Sequence, residues 1–327
     1  MDKIRWGIFG TGNIATKFAK ALKSMEDTSL EGVASRSEIR AKDFAKRFGI
    51  AKAYGNYEEL ALDPDIDVIY IASPHTEHMA MAKLCIKNNK AVLCEKAFTI
   101  NSEDTEELIR MAKEHKVFLM EAMWTKFLPA NLRVKQWIKE GRIGKVLHIK
   151  ASFGFHSDYD PGSRLYNPSL GGGALLDVGV YPISYSTFLL DKAPDRILSS
   201  AVIGKSGVDE QNVIILEYDD GVLADLSSSI SVLTGNDAMI VGEKGIIKVE
   251  KFWMADSARL YDIKENLIDE CSEPFRKNGY EYEAAEVNRC LREGLKMSPL
   301  NPLSDTLTNM KIMDEIRRQW GLVYPGE

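Results

Sequence analysis

The sequence predicts an α/β protein with two domains: a doubly wound parallel sheet in residues 1–122, and an α+β domain with an open, mainly antiparallel sheet in residues 123–327. Three observations support this fold class. Apolar strand patterns alternate with helical patterns up to about residue 121, as they do in parallel α/β sheets. From about residue 195 to residue 261, strand patterns follow one another without crossover helices, which indicates antiparallel pairing. The length of 327 residues is enough for about two domains.

The first strand runs into a glycine turn that opens a helix. Ile4, Trp6 and Ile8 alternate with small or polar neighbours, and residues 10–15 then read GTGNIA. In the G-x-G-x-x-A turn of dinucleotide-binding proteins the first glycine makes the tight turn, the second lets the backbone approach a pyrophosphate, and the third small residue lets the helix pack on the strand. The helix over 13–24 would direct its positive end at the phosphates. The predicted pyrophosphate-binding residues are Gly10, Thr11, Gly12, Asn13 and Ile14.

The second predicted strand, over 30–34, ends without an acidic residue. An NAD-binding protein usually has Asp or Glu near this position to bind the ribose 2′-hydroxyl. Here the strand leads into Ser35, Arg36 and, one helical turn later, Arg40. A hydroxyl and two guanidinium groups would bind a 2′-phosphate by charge-assisted hydrogen bonds, whereas a carboxylate would repel it. The sequence therefore favours NADP(H) over NAD(H); the alternative is that both arginines are ordinary solvated helix residues.

The remaining elements of the first domain continue the alternation. Helices are predicted over 41–48, 57–62, 77–88 and 102–116, and strands over 51–54, 67–72, 91–94 and 117–121. Because ligands bind beyond the carboxyl ends of parallel strands, residues that follow two of these strands should face the nicotinamide half of the cofactor. These residues are Ala72, Ser73, Pro74, His75, His78, Glu95 and Lys96.

The second domain changes to an α+β pattern. Helices are predicted over 131–141, 174–190, 281–294 and 305–320, and strands over 145–155, 197–203, 212–218, 222–229, 237–241 and 246–249. Turns such as Asp219-Asp220-Gly221 are typical of hairpins. An open sheet leaves a face for association, so we expect a homo-oligomer, either a dimer or a dimer of dimers.

Three polar residues form a candidate proton-transfer set. Residues 171–173 are glycines that lead into the helix over 174–190, and this helix carries Asp177 and Tyr181 four residues apart, which places them on one face. Lys96 follows a core strand of the first domain. A phenol has a pKa of about 10, which a nearby ammonium group lowers, so this combination suits proton exchange with an alcohol. The alternative is that each of the three has a structural role.

Composition excludes several classes of function. The net charge is −6 and the pI is about 5.6, so nothing attracts nucleic acid or an anionic membrane. We find no apolar run near the roughly 20 residues of a membrane span and no signal-peptide pattern, and we expect a cytoplasmic protein. His75 and His78 lack further ligands, so no metal site is predicted. The four cysteines, which form no C-x-x-C pair, are expected to be reduced thiols: Cys85, Cys94, Cys271 and Cys290.

The chain resembles the glucose–fructose oxidoreductase/inositol dehydrogenase/MocA superfamily over nearly its whole length. Within it, the sequence is most similar to the dimeric dihydrodiol dehydrogenase (NADP-dependent D-xylose dehydrogenase) group. The usual signature of the superfamily is E-K-P, with a His four residues after the helix Asp; this chain has Ala97 instead of the Pro and Tyr181 instead of the His, and the Tyr is typical of the narrower group. The segments that carry the resemblance are 10–15 (GTGNIA), 34–37 (ASRS), 95–96 (EK), 118–125 (FLMEAMWT) and 171–181 (GGGALLDVGVY).

The resemblance implies an activity and a role for each candidate. Tyr181 would be the general base in alcohol oxidation and the general acid in the reverse direction, and Lys96 would lower its pKa and bind the reacting hydroxyl or the nicotinamide ribose. Asp177 would orient the substrate, a small molecule such as an aldopyranose, a cyclic trans-diol or a small dicarbonyl. The apolar pocket wall would come from Trp124, Phe153 and Phe155.

Two alternatives remain open. One is an NAD-dependent inositol or other polyol dehydrogenase of the same superfamily, against which Ser35, Arg36 and Tyr181 argue. The other is a non-catalytic dinucleotide sensor, since a fold does not determine function. A sensor would be free to lose Lys96 and Tyr181, and this chain has both.

Overall fold

A computed structural model describes residues 2–327 of the chain. The chain divides into two compact units, one with the residues up to Trp124 together with Arg276–Thr306, and the other with Thr125–Phe275 together with Leu307–Glu327. The return of Arg276–Thr306 to the first unit is a feature that the sequence analysis did not foresee. The roles assigned to the two predicted domains stay predictions.

The first unit contains a six-stranded parallel sheet. Its strands are β1 (Ile4–Phe9), β2 (Thr28–Ala34), β3 (Lys52–Tyr54), β4 (Val68–Ile71), β5 (Ala91–Glu95) and β6 (Leu119–Ala122). They pair in the order β3-β2-β1-β4-β5-β6, and each neighbouring pair is parallel. The predicted doubly wound sheet is therefore confirmed. The strand order reverses between β1 and β4, the place where such sheets bind dinucleotides.

The sheet of the second unit has eight strands. They are β7 (Val146–Gly154), β8 (Arg196–Ile203), β9 (Asp209–Glu217), β10 (Leu223–Ser229), β11 (Asp237–Gly242), β12 (Gly245–Glu250), β13 (Ser257–Asp262) and β14 (Leu267–Ser272). Their order is β14-β13-β12-β11-β7-β10-β9-β8. Only β7 and β10 pair in parallel, and the other pairs are antiparallel, so the predicted mainly antiparallel sheet is also confirmed. The sequence analysis missed β13 and β14.

The helices lie close to their predicted positions. They are α1 (Asn13–Leu22), α2 (Glu38–Phe48), α3 (Tyr57–Leu62), α4 (His75–Lys87), α5 (Ser102–His115), α6 (Pro129–Lys139), α7 (Val180–Leu190), α8 (Tyr280–Arg292) and α9 (Leu303–Trp320). Helix α8 belongs to the first unit, where it packs on α1. The single helix predicted over 174–190 instead begins with a π-helical stretch, Leu175–Gly179, before α7.

Apolar side chains from successive strands make the core of the first unit. Phe9, Ile71, Cys94 and Leu119 are fully buried in one cluster with residues of α4 and α5. This packing fixes the ends of the strands, where ligands bind in parallel sheets.

One segment departs from the prediction that no apolar run approaches the length of a membrane span. Pro168–Leu190, 23 residues long, is apolar and long enough by composition, but 94% of its most apolar window is buried inside the structure. Burial of this kind is expected for the central helix of a folded domain, because an apolar helix must cover its surface against other elements.

Candidate active site

The glycine turn after β1 has the geometry that the motif predicts. Gly10 has a φ of +105°, a conformation that residues with a Cβ rarely adopt. A Cβ at this position would lie 2.5 Å from the carbonyl oxygen of Ala72, at the end of β4. Gly10 also donates its N–H to the carbonyl of Ala34, at the end of β2, over 2.9 Å. The turn is therefore packed tightly against two neighbouring strand ends.

The start of α1 is open on the side where a pyrophosphate would bind. Gly12 is the N-cap of α1, makes no side-chain cap, and a Cβ built on it would meet nothing within 4 Å. Ala15, one turn into the helix, is fully buried. The space beside Gly12 at the start of α1 is therefore open, an arrangement that fits an anionic group at this helix end.

The end of β2 carries a polar, cationic turn. Ser35 is buried and its Oγ accepts the N–H of Ser37 at 3.3 Å, and Ser37 caps α2 by accepting the N–H of Arg40 at 3.4 Å. Arg36 and Arg40 are exposed. Within residues 2–327, neither guanidinium group forms an ion pair, so both keep their hydrogen-bond donors for a ligand. A hydroxyl beside two guanidinium groups suits the binding of an anionic group.

The loops after β4 and β5 hold the candidates for the nicotinamide side. The Ser73 hydroxyl is buried and, among the described residues, has no hydrogen-bond partner. His75 is buried beside His78, with 5.7 Å between ring centroids. Lys96 is half-buried, and its backbone N–H donates to Glu95 Oε2 at 3.3 Å. The ring of His78 is fully buried, and its two nitrogens lie near the backbone carbonyls of Ala97 and Ser73; the predicted role of His78 in cofactor binding stays a prediction.

A buried acidic cluster next to Glu95 was not predicted. The Tyr70 hydroxyl donates to Glu95 Oε1. Glu283, on α8, is fully buried, and neither of its carboxyl oxygens has a hydrogen-bond partner among the described residues. Burial, and then the charge of Glu95, hold the pKa of Glu283 well above its ordinary value, which favours its protonated form. No short sequence motif includes Glu283, and this explains why the sequence analysis missed it.

Trp124 belongs to the first unit together with Tyr280. Its indole is 5% exposed and stacks on the Tyr280 ring, with 4.4 Å between centroids and 8° between planes. Tyr280 begins α8. The two rings form a flat aromatic surface; whether it contacts substrate, as predicted for Trp124, stays a prediction.

In the second unit, the glycine loop places the start of the helix that carries Asp177 and Tyr181. Gly173 has a φ of +115°, and a Cβ there would collide with the carboxylate of Asp209. Asp209 Oδ2 accepts the N–H of Leu175 at 2.8 Å, at the first turn of the π-helical stretch. Such π-turns occur frequently at functional sites.

Burial raises the pKa of Asp209 to about 7, against smaller opposing effects of hydrogen bonds from Asn212 and Leu175. Between about pH 4 and about pH 7 the folded protein therefore keeps a proton on this carboxyl that the unfolded chain has released, and the free energy of unfolding falls as pH rises through this window. We expect Asp209→Asn to lose this dependence while still accepting the N–H of Leu175. Urea unfolding near pH 5 and near pH 8 gives the change in the free energy of unfolding between the two pH values. The same change in variant and wild type would contradict the expectation.

Asp177 is engaged in an ion pair within its own unit. The Arg164 guanidinium donates to Asp177 Oδ1 at 2.8 Å and to Oδ2 at 3.3 Å. Asp177 is almost completely buried, whereas the Arg164 side chain is 56% exposed. The pair attaches the glycine-rich loop to the helix. The carboxylate of Asp177, predicted to orient the substrate, is therefore paired with the guanidinium group of Arg164. The spacing of residues along the sequence does not predict an ion pair between side chains this far apart in the chain.

Tyr181 lies in an aromatic cluster. Its ring centroid is 5.4 Å from that of Phe153, which stacks on Trp253 at 3.8 Å. Phe153 and Phe155 both pack against a small core around Tyr166. Trp253 was not predicted; its position beside Phe153 makes it a further candidate for the pocket wall.

Within residues 2–327, the structure has no group of three or more His, Cys, Asp or Glu side chains that could hold a metal.

Comparisons with known proteins agree with this architecture. A model described as an oxidoreductase family with an NAD-binding Rossmann fold matches residues 4–123, and the Gfo/Idh/MocA C-terminal domain model matches residues 131–248. The chain is 40% identical over 329 residues to trans-1,2-dihydrobenzene-1,2-diol dehydrogenase of Xenopus laevis, covering 98% of this chain and 99% of the relative. The Homo sapiens protein of the same name is 33% identical over 337 residues, with 99% of each chain covered.

Two solved structures share the fold at lower identity. KijD10, a 3-ketoreductase from Actinomadura kijaniata in complex with NADP and TDP-benzene, has a TM-score of 0.87 at 24% identity and covers 97% of this chain and 98% of that chain. An aldose–aldose oxidoreductase from Caulobacter crescentus, complexed with glycerol, has a TM-score of 0.89 at 22% identity, with 98% of both chains covered. The family predicted from the sequence is confirmed: the chain belongs to the Gfo/Idh/MocA family of oxidoreductases, with a dinucleotide-binding Rossmann domain.

Proposed function

We propose that the protein is an NADP-dependent dehydrogenase that oxidises a secondary or anomeric alcohol of a cyclic trans-diol or a sugar, and reduces the product carbonyl in the reverse direction. The observation that carries this proposal is the full-length similarity, 40% identity over 98% of the chain, to a trans-1,2-dihydrobenzene-1,2-diol dehydrogenase. The solved structures with NADP and with glycerol are compatible in fold. D-Xylose and benzene trans-dihydrodiol are the first substrates to test.

The residues of the first unit suit an NADP molecule. Gly10 and Gly12 leave the start of α1 free for the pyrophosphate, and Ser35 with Arg36 and Arg40 suits the 2′-phosphate. The buried hydroxyl of Ser73 has no partner among the described residues, so a polar group of a ligand would satisfy it. When bound, the nicotinamide accepts or supplies the hydride.

Tyr181 is the proposed general base in oxidation and general acid in reduction. In oxidation its phenolate oxygen takes the proton of the reacting alcohol as the hydride leaves the same carbon; in reduction the phenol returns the proton. Lys96 donates a hydrogen bond to the reacting oxygen or the nicotinamide ribose. The aromatic rings of Phe153 and Trp253 exclude water and suit the apolar face of a ring-shaped substrate.

Initial rates with NADP and a panel of alcohols test the proposal. We expect turnover with a cyclic trans-diol or an aldopyranose, detected as absorbance of the reduced nicotinamide, and weaker turnover with myo-inositol. Turnover restricted to NAD and inositol would instead favour the polyol dehydrogenase alternative. Binding of NADP without turnover of any alcohol in the panel would favour the dinucleotide sensor.

Arg36→Ala should reduce the preference for NADP. Loss of one charge-assisted hydrogen bond to a 2′-phosphate is expected to raise the KM for NADP by about 10-fold or more, since such bonds contribute roughly 1.5–3 kcal/mol. The KM for NAD should change little, because NAD has no phosphate there. Arg47→Ala, an exposed arginine of the last turn of α2, is the control. An equal effect on both cofactors would contradict the assignment.

The protein is also proposed to associate with a second copy through the open face of the second sheet. Leu198, Val202, Val213, Ile215 and Leu223 are each at least 37% exposed, and they lie on β8, β9 and β10. Ile215 pairs in register with Leu198, so the apolar side chains form one continuous surface, which in a water-soluble chain usually indicates an interface. Light scattering should show an oligomer that Ile215→Lys dissociates and that Ile263→Lys, at an exposed hairpin turn, does not; a monomeric wild type would refute the proposal.

A further inference from the structure

Three buried polar side chains of the second unit form a hydrogen-bonded network beside the helix that carries Tyr181. They belong to Asp209, Asn212 and Ser228, and each is at most 2% exposed. Ser228 Oγ donates to Asn212 Oδ1 at 2.9 Å, and Asn212 Nδ2 donates to Asp209 Oδ2 at 2.9 Å. Asp209 and Asn212 lie on β9, and Ser228 is the register partner of Asn212 on β10. The network therefore joins two paired strands of the sheet.

This network meets both ends of the π-helical stretch. At the start of the stretch, Leu175 donates its N–H to Asp209 Oδ2 at 2.8 Å, across 34 residues of sequence. The N–H groups of a first helical turn have no partner within their own helix, so a side chain on a strand satisfies one of them here. At the end of the stretch, a Cβ on Gly179 would lie 2.8 Å from Ser228 Oγ. Strand and helix are therefore in close contact at both places.

Both polar candidates of the second unit depend on the position of this stretch. Asp177 lies within it, and Tyr181 lies in the first turn of α7, which continues from it. A π-helical stretch departs from the regular hydrogen bonding of an α-helix, so contacts from outside the helix help to fix its geometry. Errors in that geometry are costly, since a displacement of about 1 Å can reduce a rate about 10²-fold.

The carboxyl group of Asp209 can hold the helix whether or not it carries a proton. Oδ2 accepts both hydrogen bonds, and a carboxyl oxygen accepts in the ionised form and as the carbonyl oxygen of the neutral form. Oδ1 is buried and has no hydrogen-bond partner among the described residues, so a proton on Oδ1 leaves both bonds in place. An asparagine keeps an acceptor oxygen for these bonds, whereas a leucine of similar size has none.

We infer that Asp209 is a positioning residue for the proposed general base: by accepting the N–H of Leu175, it fixes the helical stretch that determines the place of Tyr181. This inference rests on the proposed function, because it presupposes that Tyr181 exchanges a proton with the substrate. Asp209 acts through the backbone of the helix and not by contact with the reacting atoms.

Steady-state kinetics with NADP and benzene trans-dihydrodiol or D-xylose test the inference. Asp209→Leu removes the acceptor and should lower kcat about 10-fold or more, because the start of the helix is released. Asp209→Asn keeps the acceptor and should retain a kcat near that of wild type. The Kd for NADPH, measured by fluorescence titration, should stay near the wild-type value in both variants, because the proposed cofactor residues belong to the first unit.

Leu216→Ala is the matched control for lost stability. Leu216 is a fully buried residue of β9, and its apolar side chain takes no part in the network. The cavity should lower Tm and leave kcat near that of wild type. Hydrogen–deuterium exchange over residues 174–181, read by mass spectrometry, should be faster in Asp209→Leu than in Leu216→Ala, because the amide of Leu175 has lost its acceptor.

The outcomes separate the inference from the proposed function. A wild-type kcat in folded Asp209→Leu, or exchange over residues 174–181 that is unchanged, would overturn the inference. The same follows if Leu216→Ala lowers kcat as much as Asp209→Leu does. If Asp209→Leu does not fold, Asn212→Leu, which breaks the network at its middle, takes its place, and a wild-type kcat there has the same consequence. If wild type itself oxidises neither substrate with NADP, the proposed function fails first, and the inference fails with it.

Discussion

Tyr181→Phe is expected to lower kcat by about 10²-fold or more, as for a lost proton-transfer group. The substitution removes one oxygen and keeps the ring, so the contact with Phe153 at 5.4 Å between centroids should persist. The Kd for NADPH should remain near the wild-type value, since the cofactor residues lie elsewhere in the chain. Steady-state rates with the best substrate of the panel, together with the NADPH titration, measure both quantities.

Tyr185→Phe is the matched control for this experiment. Tyr185 lies one turn further along α7 and donates its hydroxyl to Asn131 Oδ1 at 3.1 Å, a structural hydrogen bond. Its loss should reduce stability by about 1 kcal/mol and leave kcat nearly unchanged. If Tyr181→Phe kept near wild-type turnover, the proton donor would have to be another group.

The second large effect is expected for Lys96→Met. Methionine keeps an unbranched side chain of similar length but removes the ammonium group, and with it the hydrogen bond to the reacting oxygen proposed above. We expect kcat to fall by about 10²-fold or more. Steady-state rates at saturating NADP show whether the loss is in kcat or only in cofactor binding.

Lys87→Met provides the control for the loss of one positive charge in the same unit, because Lys87 is an exposed residue at the end of α4. Its kcat should equal that of wild type. A Lys96→Met enzyme that differs from wild type only in KM for NADP would show that Lys96 binds the cofactor without taking part in the chemistry.

Local sequence patterns were sufficient for most of the first unit. Each small residue of the glycine turn is required by the close packing of that turn. Continuous apolar runs identify the parallel strands, so the strand ends that carry Ser73 and Lys96 could be predicted. The role in cofactor binding predicted for His78 stays a prediction. Its ring bridges two carbonyls from separate loops, and side-chain spacing carries no information about backbone acceptors.

Features that depend on long-range packing could not be predicted in this way. The helical period of α8 indicates a helix but not the sheet on which it packs, so its membership of the first unit and the burial of Glu283 were missed. Similarly, Arg164 and Asp177 are 13 residues apart, across a loop whose path the sequence does not specify. The strand β14 has a mostly exposed, acid-containing sequence without the apolar alternation on which strand prediction depends.

Transfer of deuterium tests the central claim most directly. The purified protein would be incubated with NADP and with benzene trans-dihydrodiol or D-xylose deuterated at the carbon to be oxidised, and the cofactor examined by NMR. We predict NADPH with deuterium at C4 of the nicotinamide, and its absence with Tyr181→Phe over the same time. No reduced cofactor with either substrate, or NADPH that lacks the label, would contradict the proposed hydride transfer from these alcohols.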